Sequence, residues 1–115
     1  MKLEEIISSL RLNVLTGVNF LDRSVSGGYI SDMLSDVLAN ANEGNIWITL
    51  QTHLNIVSVA SIKKISAILI PSGRKLDDDS LKKAEEEKIV VLNSEEKGFQ
   101  LAGKLYKLGV GKNNE

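Results

Sequence analysis

The sequence predicts a three-layer α/β/α domain built on a mainly parallel sheet of about five strands. Two observations carry this reading. Nearly continuous aliphatic runs recur at Ile46-Trp47-Ile48-Thr49-Leu50, Ala67-Ile68-Leu69-Ile70 and Ile89-Val90-Val91-Leu92, the pattern of strands covered on both faces. Between and after them the apolar spacing lengthens to that of a helix, so strand and helix alternate from residue 45 onward as parallel βαβ units require.

Each element follows in order. Leu3, Ile6, Ile7 and Leu10 fall at helical spacing and mark a short amphipathic helix filling the N-terminal segment, residues 1–10. Leu12 to Thr16 reads as a strand, and Arg23 to Ile30 as a second one interrupted by Ser26-Gly27-Gly28. A helix then starts with Ser31 or Asp32 as its cap, shows Met33, Leu34, Val37, Leu38 and Ala41 as its apolar face, and stops at Gly44. After the 46–50 strand, Thr52 caps a helix that buries Ile56, Val57, Val59, Ala60 and Ile62, with Lys63 and Lys64 suited to its negative end. Pro71-Ser72-Gly73 stops the next strand, because proline cannot donate to a ladder. Asp77, Asp78 and Asp79 place acids at the positive start of a third helix. The last helix spans roughly residues 95–108 with Gly109 as its cap, and residues 111–115 are expected to fray. With no repeat, low-complexity segment or linker, residues 1–115 form a single domain.

Composition narrows the chemistry. The 115 residues carry 43% apolar and 25% charged residues, the balance of a globular protein. A net charge of −1 offers no global attraction to nucleic acid or to an anionic membrane. Most basic residues lie from Lys63 onward, where Asp77–Asp79 and Glu85–Glu87 offset them. The absence of cysteine removes disulfides, thiolate catalysis and Cys-ligated metal centres. The start Met-Lys-Leu-Glu-Glu-Ile-Ile lacks the basic-then-apolar order of a signal peptide, and no apolar run approaches membrane-spanning length, so a cytoplasmic location is expected. Aromatics at 4% leave few stacking platforms for bases.

In an open parallel sheet, ligands bind beyond the carboxyl ends of the strands, where helix N-termini converge. That rule selects the loops Ser26 to Asp32, Thr49 to His53, Pro71 to Lys75 and Asn93 to Glu95. Gly27-Gly28 either brings backbone close to a phosphate or makes a bulge or tight turn; it lacks the spacing of a dinucleotide fingerprint. Ser72-Gly73-Arg74-Lys75 combines turn amides with two cations and reads as an anion-binding turn or as a solvated loop. His53, the only histidine, stands at a helix start, where it can serve as a base or simply face solvent. With one histidine and no cysteine, neither a metal nor a cofactor is expected, and Asp77–Asp79 are explained as helix-start acids. Ser31 and Asp32 read as caps rather than as a nucleophile and its helper. Ser26, Gly27, Gly28, Ser31, Asp32, Thr49, His53, Ser72, Gly73 and Arg74 are therefore the candidate ligand-binding residues, with Arg74 as countercharge. The N-terminal helix and Leu12 to Phe20 are the surfaces expected to meet a second copy in a symmetric dimer.

Over nearly its whole length the chain resembles the DRTGG domain family. The resemblance rests on Val25-Ser26-Gly27-Gly28-Tyr29-Ile30-Ser31-Asp32-Met33-Leu34, Gly44-Asn45-Ile46-Trp47-Ile48-Thr49 and Ala67-Ile68-Leu69-Ile70-Pro71-Ser72-Gly73. Where the family name places Asp-Arg-Thr, this chain has Tyr29-Ile30-Ser31 followed by Asp32, and where it places Thr-Gly-Gly, this chain has Pro71-Ser72-Gly73. The resemblance implies an accessory domain, of the kind found between nucleotide-sensing modules of regulated pyrophosphatases or ahead of the catalytic part of phosphate acetyltransferases. It is also similar to the N-terminal domain of HPr kinase/phosphorylase. Kinase chemistry is not implied, because no Gly-x-x-x-x-Gly-Lys-Ser/Thr occurs. Residues and resemblance together lead to the expectation of a non-catalytic, homodimeric regulatory module that takes a small anionic or nucleotide-like ligand at the strand ends. The alternative is an interaction or scaffold subunit of a partner enzyme with no small ligand.

Overall fold

The computed structural model describes residues 1–112. Its elements run α1 (Leu3–Leu10), β1 (Asn13–Thr16), a short 3-10 helix (Val18–Phe20), β2 (Gly27–Ile30), α2 (Leu34–Asn40), β3 (Asn45–Ile48), α3 (Asn55–Lys63), β4 (Ala67–Ile70), α4 (Asp78–Glu86), β5 (Val91–Asn93) and α5 (Gly98–Leu108). The five strands form one sheet in the order β1-β5-β4-β3-β2. Strands β2 to β5 are parallel, and β1 closes the edge antiparallel to β5. The fold is the three-layer α/β/α arrangement that the alternating runs require.

Strand pleating divides the apolar residues into two cores. Ile46, Ile48, Ala67, Leu69 and Leu92 face α1 and α5, meeting Leu3, Ile6, Leu10, Leu101 and Leu105. Trp47, Ile68, Ile70 and Val91 face the other way, onto Val37, Ile56, Val57, Ala60 and Ala84 of α2, α3 and α4. Each crossover joins adjacent strands in one direction, so one-handed connections put α2, α3 and α4 on the same face. Helix α1 is docked by backbone: the Leu3 and Glu4 amides donate to Arg23 and Leu21 carbonyls at 2.8 and 2.9 Å.

Several local expectations are corrected. The second strand starts at Gly27 rather than Arg23, because the Arg23 guanidinium instead reaches across the molecule to the Lys88 carbonyl at 2.6 Å. Ile62, Met33 and Leu38 are exposed, not part of the buried helix faces. Met33 rather than Ser31 or Asp32 occupies the α2 cap, Leu54 rather than Thr52 the α3 cap, and α5 begins three residues late, after Lys97. Asp77 does cap α4, accepting the Ser80 amide at 2.8 Å, and Gly109 does close α5 in a left-handed conformation. Of the expected tail, Gly111 and Lys112 form a turn, with the Lys112 amide on the Gly109 carbonyl; residues 113–115 lie outside the described residues.

Candidate functional site

The parallel strands β2, β3 and β4 end together at Ile30, Ile48 and Ile70, so the segments that follow them are neighbours. Asp32 ties two of these segments together. One of its carboxylate oxygens accepts the Thr49 hydroxyl at 2.9 Å and the Leu50 amide at 2.7 Å, while its carbonyl accepts the Gln51 side-chain amide at 3.1 Å. The Thr49 hydroxyl in turn accepts the Gln51 amide at 3.1 Å. This cross-strand demand explains why Asp32 does not cap α2. Ser31 makes a local turn, its hydroxyl accepting the Met33 amide at 3.1 Å, and its carbonyl accepts the buried Trp47 indole N–H at 2.9 Å.

After β4 the chain makes a tight turn with Ser72 and Gly73 both left-handed, at φ 63° and 70°, closed by the Arg74 amide on the Pro71 carbonyl at 3.3 Å. The amides that the sequence offered to an anion are used inside the fold. Ser72 donates its amide to the Glu96 carbonyl at 2.8 Å and Gly73 donates to the Ser94 carbonyl at 2.7 Å. This lacing joins the β4–α4 loop to the β5–α5 loop, at the point where the chain switches from helices on one face to α5 on the other. The crevice expected at such a switch is therefore filled by the protein's own backbone. Arg74 places Nη1 3.2 Å from the Leu50 carbonyl, its guanidinium exposed. Beneath the turn, Asn93 is buried; its side-chain amide donates to the Arg74 carbonyl at 3.1 Å.

An open cleft remains beside this turn, on the α5 face of the sheet. It measures about 240 Å³ and is lined by Ile30, Asp32, Ile48, Thr49, Leu50, Pro71, Ser72, Lys97 and Gly98. Lys97 precedes the first turn of α5 and provides no side-chain cap, leaving the helix-start N–H groups without intrahelical partners. The cleft thus combines an apolar floor, the Ser72 hydroxyl, the Lys97 side chain and a positive helix end with one carboxylate on its rim. Such a set orients an anion that also carries hydrogen-bond donors.

Of the ten candidate residues, Asp32, Thr49 and Ser72 line this cleft, with Gly73 and Arg74 in the adjoining turn and Ser31 one residue before Asp32. Ser26, Gly27 and Gly28 do not join them. They stand at the opposite, N-terminal end of the sheet, where Gly27 pairs with Asn45 and the Ser26 hydroxyl donates to the Glu43 carbonyl at 2.7 Å. His53 is exposed on the approach to α3 and lines no part of the cleft. Its charge adds slightly to the effect of the Ser80 hydrogen bonds that hold the Asp77 carboxyl below its ordinary range. Lys97 and Gly98 were hidden because the helix pattern was read as starting at residue 95, which placed them inside it; a strand followed by an uncapped helix start was the available signal. Among the described residues no group of three or more His, Asp or Glu side chains is arranged to hold a metal, and no helix is long and apolar enough to cross a membrane.

No family model matches the chain. No curated protein matches it either. Among solved structures it is similar to the CBS and DRTGG domains of the regulatory region of Clostridium perfringens pyrophosphatase, a structure holding the activator diadenosine tetraphosphate. The TM-score is 0.71 at 16% identity, over 96% of this chain and 48% of that one. The chain spans about half the length of that regulatory region, and what the two share is a DRTGG-like fold.

Proposed function

We propose that the chain is a non-catalytic regulatory module of the DRTGG type, acting in the cytoplasm, that senses a small anionic, nucleotide-like ligand at the strand ends. The observation that carries this reading is the cleft in which Lys97, Ser72, Asp32 and the start of α5 stand around an apolar floor of Ile30, Ile48 and Pro71. Phosphate oxygens would take the ammonium and the helix-start amides. Ribose hydroxyls or a base amine would find Asp32. The similar pyrophosphatase region was captured with a dinucleotide activator, which makes nucleotides the first class to try. Of the candidate residues, Ser31, Gly73 and Arg74 act as supports of the cleft in this reading, whereas Ser26, Gly27, Gly28 and His53 lie outside it.

The test is a thermal-shift titration with diadenosine tetraphosphate, ATP, AMP and pyrophosphate. A ligand at a hundredfold excess over its dissociation constant stabilises the folded state by about 2.7 kcal/mol. Lys97→Glu is expected to weaken a responding ligand by at least about tenfold and Arg74→Ala by less. An affinity unchanged in Lys97→Glu would remove the site from the cleft.

A second reading has its own support. Phe99, Tyr106 and Ile30 leave large apolar surface in water, as an interaction or scaffold subunit of a partner enzyme would. That reading predicts a stable complex with no ligand response.

A further inference from the structure

We infer that this apolar surface is a homodimer interface, formed by antiparallel packing of α5 against α5 of a second copy across a two-fold axis near Ala102 and Gly103. The inference stands apart from the ligand reading and requires no ligand.

Helix α5 buries Leu101 and Leu105 in its own core and turns Phe99, Gly103 and Tyr106 outward, with Ala102 half-buried at the margin of that stripe, at i, i+4, i+7 and i+3. Phe99 is 85% exposed and Tyr106 67%. The Lys112 ammonium lies over the Tyr106 ring at 4.6 Å and leaves most of that side chain uncovered. Between the two aromatics the stripe is flat: a Cβ added to Gly103 would meet nothing within 4 Å. This spacing is self-complementary. With the axis between residues 102 and 103, antiparallel helices set Phe99 of each copy against Tyr106 of the partner subunit, and the two smallest side chains let the backbones approach.

A receptor for the aromatic knob exists on the same face. Tyr106, Ala102 and Leu105 share a groove of about 270 Å³ with Gly28, Tyr29 and Ile30 of the edge strand β2. A cavity of about 150 Å³ already holds a benzene ring, so a phenylalanine ring fits beside Tyr106. Ile30, 56% exposed, forms the groove's outer wall and extends the apolar surface.

The exposed apolar area is about half of what a standard interface buries per partner. Phe99, Tyr106 and Ile30 together expose roughly 400 Å² of largely apolar surface per copy. A standard interface buries about 800 Å² per partner, some 65% of it apolar in homodimers. These three side chains therefore supply most of the apolar share, and the polar rim of α5 and β2 the remainder. The expected dimer surface at α1 and Leu12 to Phe20 is far less suited, since Leu3, Ile6, Leu10 and Leu12 are buried within the monomer.

Sedimentation equilibrium of the full chain across the micromolar range, without ligand, tests the interface. The wild type is expected to be a dimer. Phe99→Glu, at a position too exposed to unsettle the core, is expected to weaken dimerisation at least about tenfold with an unchanged circular-dichroism spectrum. Val18→Glu, which alters an exposed apolar residue at the opposite edge of the sheet, leaves the dimer intact. Because the chain has no cysteine, Gly103→Cys introduces a single thiol near the axis and is expected to oxidise to a covalent dimer. A monomeric wild type would overturn the inference and give the face to a different protein. A dimer that survives Phe99→Glu combined with Tyr106→Glu, or that forms no Gly103→Cys cross-link, would overturn it as well.

Discussion

Thr16 repairs the sheet where its register slips. The β1–β5 ladder shifts between Val14 and Thr16, which costs that edge its regular backbone pairing. The buried Thr16 hydroxyl replaces it, donating to the Ile89 carbonyl at 2.7 Å and accepting the Val91 amide at 3.0 Å. Thr16→Val keeps the shape and removes both bonds, leaving two backbone groups unpaired in the core. A loss of about 2–4 kcal/mol in denaturant unfolding is expected. Two surface carboxylates act on the pH profile instead. Hydrogen bonds from Ser31, Asn40 and Tyr29 hold Asp36 below its ordinary value of 3.8, and hydrogen bonds from Ser80 do the same for Asp77. A carboxyl whose folded value is depressed stabilises the fold above its unfolded value and loses that contribution as pH falls through the folded one. The double variant Asp36→Asn, Asp77→Asn is therefore less stable than wild type at neutral pH. In denaturation series below pH 3.8 the gap narrows; a constant gap would show that neither carboxylate is linked to folding.

At the scale of the element, backbone conformation decides where the connections can go. Gly17 follows β1 at φ +81°, and a Cβ there would lie 2.7 Å from Val90 Cγ2 and 2.8 Å from Val90 Cα. Backbone cannot yield as a side-chain tip can, so Gly17→Ala is expected to cost at least about 2 kcal/mol, measured as a lowered unfolding midpoint. The central strands and α4 were legible because their signals are local: aliphatic runs that both cores cover, and an aspartate that caps its own helix. The edge strand β2 was legible as a strand but not in its start. Gly27-Gly28 reads as a break by propensity, yet pairing with Asn45 and Ile46 holds it in the ladder. Ser31 and Asp32 were misread for a related reason. Asp32 belongs to Thr49 and Leu50, 17 and 18 residues away, and no window of sequence reveals that partnership. The same limit applies to the Ser72 and Gly73 amides, whose acceptors lie in the loop before α5.

For the whole molecule, parallel topology gathers the ends of β2, β3 and β4 beside a cleft on the α5 face, close to the apolar edge that the dimer would cover. Ile30 lines both, so a ligand in the cleft and a second copy on α5 touch a common residue. Asp32, Thr49 and Ser72 come together at the end of the sheet that the strand-end rule selects; Ser26 to Gly28 fell at the other end because their strand starts, rather than stops, at the glycines. Four-residue strands separate the two ends by only about 10 Å, a distance that residue-level data resolve. The direct test of the proposed site is an amide NMR titration of the labelled protein with diadenosine tetraphosphate, followed by AMP and pyrophosphate. Saturable shifts confined to Asp32, Thr49, Leu50, Ser72, Lys97 and Gly98 are the predicted result, whereas shifts centred on Ser26 to Gly28, or none with any of the three ligands, would contradict it.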